Sequence, residues 1–427
     1  MSTVTQHPTA VLVAALALLA AGSRPGALPV AIEEDEELEG RAPTAIELVP
    51  SVEAAFRHES YTPGETAKLV VRDEATRIRM QLFRVGPEHV TTRGNNEMQG
   101  VPVTHEREIG DGVVPVTVGD WPSGLYFARL EAADGRVGFA PFVIRPRELG
   151  ASRVAIVLPT LTWQAYNLRD DDGDGKPDSW YGDWKRRTIR LGRPFLNRGV
   201  PYHYRRYDLP FLHWLSRSGR DVDVLTDEDL DEVRNGDALV VTYDLIVFPG
   251  HHEYVTTHEY DVVERYRDLG GNLAFLSANN FFWQVEKRGD VVTKTKQWRD
   301  LGRPEAAVLG VQYRGNDSGE ARGSWIVRDV PASHWLFAGT GLAPGSRFGE
   351  DWGIEIDRTS PESPDGVEVI AEIPDLFGPG FTAQMTYYET KYGAKVFAAG
   401  AFTLAGQALE PGVPRVLANL WTKLARP

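Results

Sequence analysis

The sequence predicts two joined folds, an immunoglobulin-like β-sandwich followed by an α/β domain with a parallel, flavodoxin-like sheet. The first prediction rests on several short alternating strands between residues 46 and 148, without a helical period among them. The second rests on apolar, strand-like runs that alternate with helices across residues 152–427. The chain has 427 residues, of which 42% are hydrophobic and 25% charged, and this composition excludes a disordered or multi-span membrane protein.

Charge and cysteine content exclude several further classes. Lys and Arg number 46 against 60 Asp and Glu, a net charge of −14. General binding to nucleic acid or to an anionic membrane is therefore not expected. Cysteine is absent, which excludes a disulfide framework, a thiolate zinc site and a cysteine nucleophile.

The first 45 residues predict export and a linker. Residues 1–23 resemble a signal peptide, since the apolar run Ala10–Ala21 is too short to span a bilayer and Ala20-Ala21-Gly22 offers a small-residue cleavage site. Residues 24–45 include the acidic stretch Glu33–Glu37 and predict a solvated linker. A secreted or cell-envelope protein without a membrane span in the mature chain is expected, with a cytoplasmic protein as the alternative.

The predicted β-sandwich contains alternating apolar and polar segments separated by turn residues. Asp134-Gly135 is a strong hairpin signal because both positions tolerate positive φ. The predicted strands are Thr66–Val71, Arg77–Val85, Val113–Val118, Leu125–Ala132 and Arg136–Ile144.

The predicted α/β domain alternates strands with helices, as a parallel sheet requires. Its best helix begins with the capping pair Thr256 and Glu259 and ends before Gly270-Gly271. Strands are predicted at Arg153–Pro159, Val222–Leu225, Leu245–Pro249, Leu273–Leu276 and Lys395–Ala401, and helices at Phe211–Gly219, Asp227–Val233, Thr256–Leu269 and Val413–Leu424.

Polar and aromatic residues follow three of these strands, at Thr160–Asn167, Gly250–Tyr254 and Asn279–Trp283. Ligands of parallel sheets bind beyond the carboxyl ends of the strands, so these segments are expected to share one rim. His251 and Glu253 together offer an acid, a base or metal ligands. The alternative is a polar turn that only caps the following helix.

An aspartate-rich loop is similar to the calcium loop of an EF-hand. Gly175 stands at the sharp turn, position 6, whereas Tyr181 occupies position 12 instead of glutamate. The loop predicts a calcium site or, alternatively, a solvated acidic loop. Positions 1, 3, 5 and 9 are Asp170, Asp172, Asp174 and Asp178.

Two further carboxylates, Glu355 and Asp357, follow a glycine-broken loop. They either supply a carboxylate to the cleft or lie on the solvent face of a strand, and their spacing does not decide between the two.

Three common enzyme sites do not fit this chain. A parallel sheet with a functional turn after its third strand looks like a class I glutamine amidotransferase domain, but that nucleophile is a cysteine. Ser277 is not surrounded by a G-x-S-x-G elbow. No G-x-G-x-x-G follows the first strand, which excludes a Rossmann dinucleotide site.

Motifs that follow one another from residue 152 onward carry a family resemblance. They are Leu158-Pro159-Thr160 with Thr162–Asn167, Trp214-Leu215 with Gly219, Thr226-Asp227 with Asp229-Leu230, Gly250-His251 with Glu253-Tyr254, Gly270–Leu273, Asn279 with Trp283, and Gly353 with Glu355 and Asp357. In this order they resemble the large (beta) subunit of N,N-dimethylformamidase. Trp121–Tyr126 and Pro141–Val143 resemble the β-domain that precedes it in related proteins.

The resemblance implies an amidotransferase-like α/β fold with a mononuclear iron held by two tyrosines and one glutamate. It also implies hydrolysis of an amide or formamide C–N bond, with a small-molecule amide as substrate. A small subunit or a second copy of the chain is the implied partner.

Carried over by motif, Tyr254 is the first iron ligand and Glu355 the carboxylate. Tyr207 is the second tyrosine, with Tyr166, Tyr181 and Tyr204 as competitors. The resemblance further gives His251 and Glu253 a role in proton transfer, and it places Asn279 at a carbonyl oxygen.

The alternative function is a secreted, calcium-stabilised module that binds a saccharide or peptide without turnover. Its ligand would lie on an aromatic rim formed by Trp163, Trp180, Trp184 and Trp283.

Overall fold

The structure, a computed structural model, describes residues 50–425 apart from residues 74, 76, 91, 184, 318 and 331–333. The predicted signal peptide at residues 1–23 and linker at residues 24–45 lie outside the described residues, as does Trp184. All described residues belong to one compact unit. Among them, no helix is both long and apolar enough to cross a membrane.

In the front half, residues 50–148, the described residues form nine strands in two sheets. One sheet has the order β1-β3-β7, and the other has the order β2-β9-β8-β4-β5, with β6 also paired to β4. The strand β2 pairs in parallel with β9, and the immunoglobulin-like sandwich is not confirmed. The strands are β1 Ala54–Phe56, β2 Ser60–Tyr61, β3 Thr66–Val71, β4 Ile78–Arg84, β5 Val101–Pro102, β6 Arg107–Ile109, β7 Gly112–Thr117, β8 Gly124–Ala132 and β9 Val137–Ile144.

The second half contains fifteen strands among the described residues. They are β10 Val154–Leu158, β11 Thr188–Arg190, β12 Asp223–Thr226, β13 Leu245–Phe248, β14 Tyr254–Thr256, β15 Asn272–Phe275, β16 Trp283–Arg288, β17 Val291–Gln297, β18 Gln312–Asn316, β19 Arg322–Val327, β20 Arg347–Arg358, β21 Glu368–Ile373, β22 Ala383–Glu389, β23 Lys395–Ala398 and β24 Ala401–Phe402.

Helices in the second half are mostly short. The two longest, Thr257–Asp268 and Val413–Leu424, have twelve residues each. The others are Thr160–Ala165, Leu196–Gly199, Tyr204–Tyr207, Leu209–Arg217, Asp227–Asp231, Gly236–Thr242 and Ala306–Leu309, and two 3₁₀ turns lie at Trp298–Leu301 and Trp335–Phe337.

The main sheet has eleven strands in the order β12-β10-β13-β15-β23-β22-β21-β19-β20-β18, with β24 paired to β20. Its first five strands are parallel. From β23 onward the neighbouring strands are antiparallel. A separate four-stranded sheet, β11-β17-β16-β14, carries Tyr254.

The prediction of a flavodoxin-like, class I glutamine amidotransferase-like parallel sheet is therefore wrong. The structure is mostly β-sheet, with 34% strand against 19% helix, and its large sheets are mixed. The physical reason lies between residues 283 and 389, where seven strands, β16–β22, form antiparallel ladders. Such strands are joined directly by loops and need no helical crossover, so a pattern of strands alternating with helices does not reveal them.

The front half covers the β12 edge of the main sheet. β12 packs against β8 and β9, and the Val224 N–H donates to Ser123 Oγ at 2.8 Å. The Ser123 hydroxyl in turn donates to the Ile144 carbonyl at 2.8 Å. One serine therefore links β12 to the last residue of β9.

Candidate functional site

The loops after β13 and β15 meet at the carboxyl ends of these neighbouring strands. The Phe281 N–H donates to the His252 carbonyl at 2.7 Å, and the His252 N–H donates to Asn280 Oδ1 at 2.9 Å. The Phe282 N–H donates to the Glu253 carbonyl at 3.0 Å. These bonds hold the second loop against the segment that presents His251 and Glu253.

A cluster of four side chains, Tyr166, His251, Glu253 and Glu355, forms at this edge, and we call it the tyrosine–histidine–glutamate cluster. The Tyr166 hydroxyl donates to Glu253 Oε2 at 2.6 Å. His251 Nε2 lies 3.1 Å from both the Tyr166 oxygen and Glu253 Oε2, and 3.7 Å from Glu355 Oε2. A phenol, an imidazole and two carboxylates therefore share one small volume.

His251 is oriented by the backbone of the neighbouring loop. Its Nδ1–H donates to the Ala278 carbonyl at 3.1 Å, because a carbonyl accepts only. Its Nε2 faces the phenol and the carboxylates. The ring is thus fixed by one nitrogen while the other can take or give a proton.

Glu355 reaches the cluster from an irregular point in β20. The pairing of β20 with β24 shifts register between Gly353 and Ile356. Ile354 lies in this irregularity with φ 72°, a left-handed conformation that is an outlier for a β-branched residue. Glu355 is buried, with 7% of its surface exposed, and so is Asp357, at 1%. Neither carboxylate lies on a solvent face.

The candidate tyrosines differ in their distance from this cluster. The Tyr254 ring lies 6.3 Å from that of Tyr166 and 4.7 Å from that of Trp180. Tyr181 stacks on Tyr166 with 4.9 Å between ring centres. Tyr204 instead packs edge-on against Trp163, at 6.5 Å. Tyr166 has its hydroxyl in direct contact with His251 and Glu253.

Tyr207 packs against Phe402, whose ring also contacts His251. Burial raises the pKa of Tyr207, and the nearby negative charge of Glu355 raises it further, whereas Arg206 opposes the shift. A phenolate at this position therefore requires a compensating cation. The buried phenols and carboxylates are hard oxygen donors of the kind that suits a ferric ion. This donor set fits the predicted iron.

Asn279 and His252 flank the cluster in the two loops. Asn279 is fully buried with φ 51°, and its backbone N–H donates to Asp357 Oδ1 at 2.9 Å. Burial raises the pKa of Asp357 to about 7. Burial lowers the pKa of His252 to about 3, and the ring nitrogens of His252 lie near the carbonyls of Val157 and Gly250, at 3.0 and 3.3 Å. His252 thus bonds the backbone rather than the cluster.

The aspartate-rich loop brings three of its four predicted residues together. Asp170, Asp172 and Asp174 are exposed and offer carboxylate oxygens within 4.8 Å of one another. Asp178 is not part of this group; it is ion-paired with Arg186, as Asp172 also is, and it accepts the Asp171 N–H at 2.7 Å. Because only three of the four expected ligands lie together, calcium binding stays a prediction.

Sequence reasoning missed the residues that enclose the cluster. Phe402 packs its ring 4.7 Å from His251 and 5.1 Å from Tyr207. Tyr202 lies 6.4 Å from Tyr166, and His203 lies 4.9 Å from Tyr207. The dense run Tyr202–Tyr207, with three tyrosines and a histidine, was a usable signal. Phe402, in a two-residue strand, gave none.

Comparison with known proteins identifies the family. A model of the family described as "N,N-dimethylformamidase beta subunit-like, C-terminal" matches residues 113–412. The chain belongs to this family. The predicted resemblance is thereby confirmed.

Two curated relatives match the same family. The N,N-dimethylformamidase beta subunit of Paracoccus aminophilus is 34% identical over 189 residues, and that of an Alcaligenes species is 33% identical over the same length. Each match covers 44% of this chain and 24% of the relative, so the chain spans about a quarter of their length. A superoxide reductase (neelaredoxin) from Ignicoccus hospitalis aligns with a TM-score of 0.15 and 13% identity, over 26% of this chain and 92% of that one. This likeness is too weak to support an argument.

Proposed function

We propose that this chain hydrolyses the C–N bond of an amide, of the formamide type, at the tyrosine–histidine–glutamate cluster. The observation that carries the proposal is the contact of His251 Nε2 with Tyr166 and Glu253, at 3.1 Å each, in a chain that belongs to the N,N-dimethylformamidase beta subunit-like family. The names of the relatives motivate the choice of substrate.

Amide hydrolysis needs a group that removes a proton from water and returns one to the departing nitrogen. His251 Nε2 is suited to both steps, since its Nδ1–H bond to Ala278 leaves Nε2 directed at the cluster. Glu253 holds the Tyr166 hydroxyl and stabilises positive charge on the imidazole. Asn279 is proposed to hold the carbonyl oxygen. The water oxygen bonds to the carbonyl carbon, the C–N bond breaks, and the products are a carboxylic acid and an amine.

We further propose that iron is held by oxygen donors in this cluster and beside it. Tyr166 and Tyr207 are the preferred phenols. Tyr166 is hydrogen-bonded to Glu253, and Tyr207 lies close enough to Glu355 for its charge to raise the tyrosine pKa. Tyr254 is the alternative, at a ring distance of 6.3 Å from Tyr166. Bound there, iron would supply Lewis acidity that polarises the amide carbonyl.

The experiment combines metal analysis with product release. Protein purified without chelators is assayed for iron by elemental analysis and for formate released from N,N-dimethylformamide. We expect Tyr166→Phe to lose both iron and activity at least tenfold, with Tyr207→Phe and Tyr254→Phe ranking the remaining donors. Tyr392→Phe, at a tyrosine that is 64% exposed, is the matched control. Full iron content in Tyr166→Phe would contradict the ligand assignment, and no formate from the iron-loaded protein would contradict the activity.

The binding-module alternative lacks a structural basis among the described tryptophans. Trp163, Trp180 and Trp283 are 5%, 1% and 8% exposed. Side chains this deeply buried do not form an open stacking surface for a saccharide. Because both relatives are named as beta subunits, we also propose that the chain associates with a partner subunit, which would copurify with it from the native host as a second polypeptide.

A further inference from the structure

A large cavity of about 910 Å³ adjoins the tyrosine–histidine–glutamate cluster. Its walls include the buried Phe348 and Phe402 and the partly buried Leu342. The charged residues that line it, Arg347 and Glu350 among them, are exposed. The wall is therefore mixed, because an apolar, aromatic patch lies beside polar side chains such as Thr340 and Gln407, and the rim is charged.

This cavity shares side chains with the surroundings of the cluster. Tyr207 and Phe402 both line it, and the Phe402 ring lies 4.7 Å from the imidazole of His251. Ile354, another lining residue, directly precedes Glu355. A molecule held in the cavity consequently lies against Tyr207, one of the proposed iron ligands, and against Phe402, whose other contact is His251.

Cavity size distinguishes between classes of amide. Volumes of about 300–1,000 Å³ are typical of pockets that enclose drug-sized ligands. An amide with only methyl substituents would leave most of 910 Å³ filled with water. Burying the apolar patch of Leu342, Phe348 and Phe402 under an apolar group that displaces this water is favourable.

We infer that the substrate is an amide with an aromatic or other bulky apolar substituent, which lies between Leu342, Phe348 and Phe402. The inference rests on the proposed amide hydrolysis and adds the substrate class. A second cavity of about 250 Å³, lined by Tyr166, Leu196 and His203 among others, is the competing location for the substituent.

The test compares three amides: N,N-dimethylformamide, N-benzylformamide and phenylacetamide. We expect kcat/KM for at least one benzyl amide to exceed that for N,N-dimethylformamide at least tenfold. Leu342→Trp fills the larger cavity and should lower the ratio of kcat/KM for the benzyl amide to kcat/KM for N,N-dimethylformamide at least tenfold. Gln407→Trp, at another lining position, gives a second filled cavity if the first variant does not fold. Leu409→Trp, at an exposed leucine outside the cavity, is the matched control and should keep the ratio.

Calorimetric binding of phenylacetamide, measured in parallel, separates the two proposals. If the wild-type protein binds phenylacetamide and Leu342→Trp or Gln407→Trp weakens this binding, the substrate class is supported even without turnover. If none of the three amides is then hydrolysed, only the proposed function is contradicted. Hydrolysis of N,N-dimethylformamide without a benzyl preference overturns the inference and leaves the function standing. Loss of the preference in Leu196→Trp alone also overturns it, because the substituent then lies in the smaller cavity. If the protein neither hydrolyses nor binds any of the amides, both the proposed function and the inferred substrate class are contradicted.

Discussion

Replacing Glu59 with glutamine should make the stability of the protein less dependent on pH. Glu59 precedes β2 and is buried against the second half, where Gln164 Nε2 and the Gly192 N–H both donate to its Oε1 at 3.4 Å. Burial, with a smaller contribution from the charge of Glu228, raises the pKa of Glu59 from 4.5 to about 8. Glutamine keeps an acceptor oxygen for both bonds and carries no charge.

The magnitude follows from the difference between the folded and unfolded pKa. Between pH 4.5 and about 8 the folded protein keeps a proton on Glu59 that the unfolded chain has lost. The free energy of unfolding therefore falls as pH rises through this window, by about 1.4 kcal/mol per pH unit. From pH 5 to pH 8 this single carboxyl lowers stability by about 4 kcal/mol.

Urea denaturation of wild type and Glu59→Gln at pH 5 and at pH 8.5 measures this effect. We expect the stability difference in favour of the variant to grow by about 4 kcal/mol between the two pH values. Glu410→Gln, at an exposed carboxylate, should follow wild type at both. A difference between wild type and Glu59→Gln that does not change with pH would refute the reasoning, because the buried carboxyl would then not change its ionisation on unfolding.

Three further predictions concern catalysis, the sheet edge and the aspartate loop. His251→Gln should lower kcat/KM for amide hydrolysis about 100-fold with an unchanged circular dichroism spectrum; wild-type activity would remove His251 from the reaction. Ser123→Ala, which leaves the Val224 N–H without its acceptor, should cost about 1–3 kcal/mol in urea denaturation; no loss would mean that water replaces the hydroxyl. Millimolar calcium should raise the melting temperature of wild type and of Asp365→Asn, but not of Asp170→Asn; an equal response in all three would exclude the loop as the binding site.

Elements with a strong local signal could be predicted from the sequence. β3 and the helix Val413–Leu424 have the predicted bounds, and the Thr257–Asp268 helix begins where Thr256 accepts the Glu259 N–H at 3.0 Å. Alternation and capping are local properties of the chain, so they are visible without tertiary contacts. Strand pairing between distant segments is not local, and β18–β22 extended the sheet in a way that the pattern did not reveal.

In the candidate site, too, local features could be predicted from the sequence and contacts between distant segments could not. His251 and Glu253 could be chosen because they follow a buried strand, where parallel sheets bind ligands. Their contact with Tyr166, 85 residues earlier for His251, depends on how two loops pack. The position of Glu355 depends on a left-handed isoleucine, a conformation that sequence preference argues against.

The serine link between the two halves also bears on aggregation. A parallel strand at the end of a sheet presents unpaired N–H and C=O groups that recruit strands from other molecules. Here β8 and β9 lie over β12, and Ser123 occupies the Val224 N–H. The front half thus covers the edge strand β12, whose backbone groups could otherwise pair with strands of other molecules. A chain shortened to begin after residue 148 would uncover that edge and invite aggregation, whatever the state of the cluster.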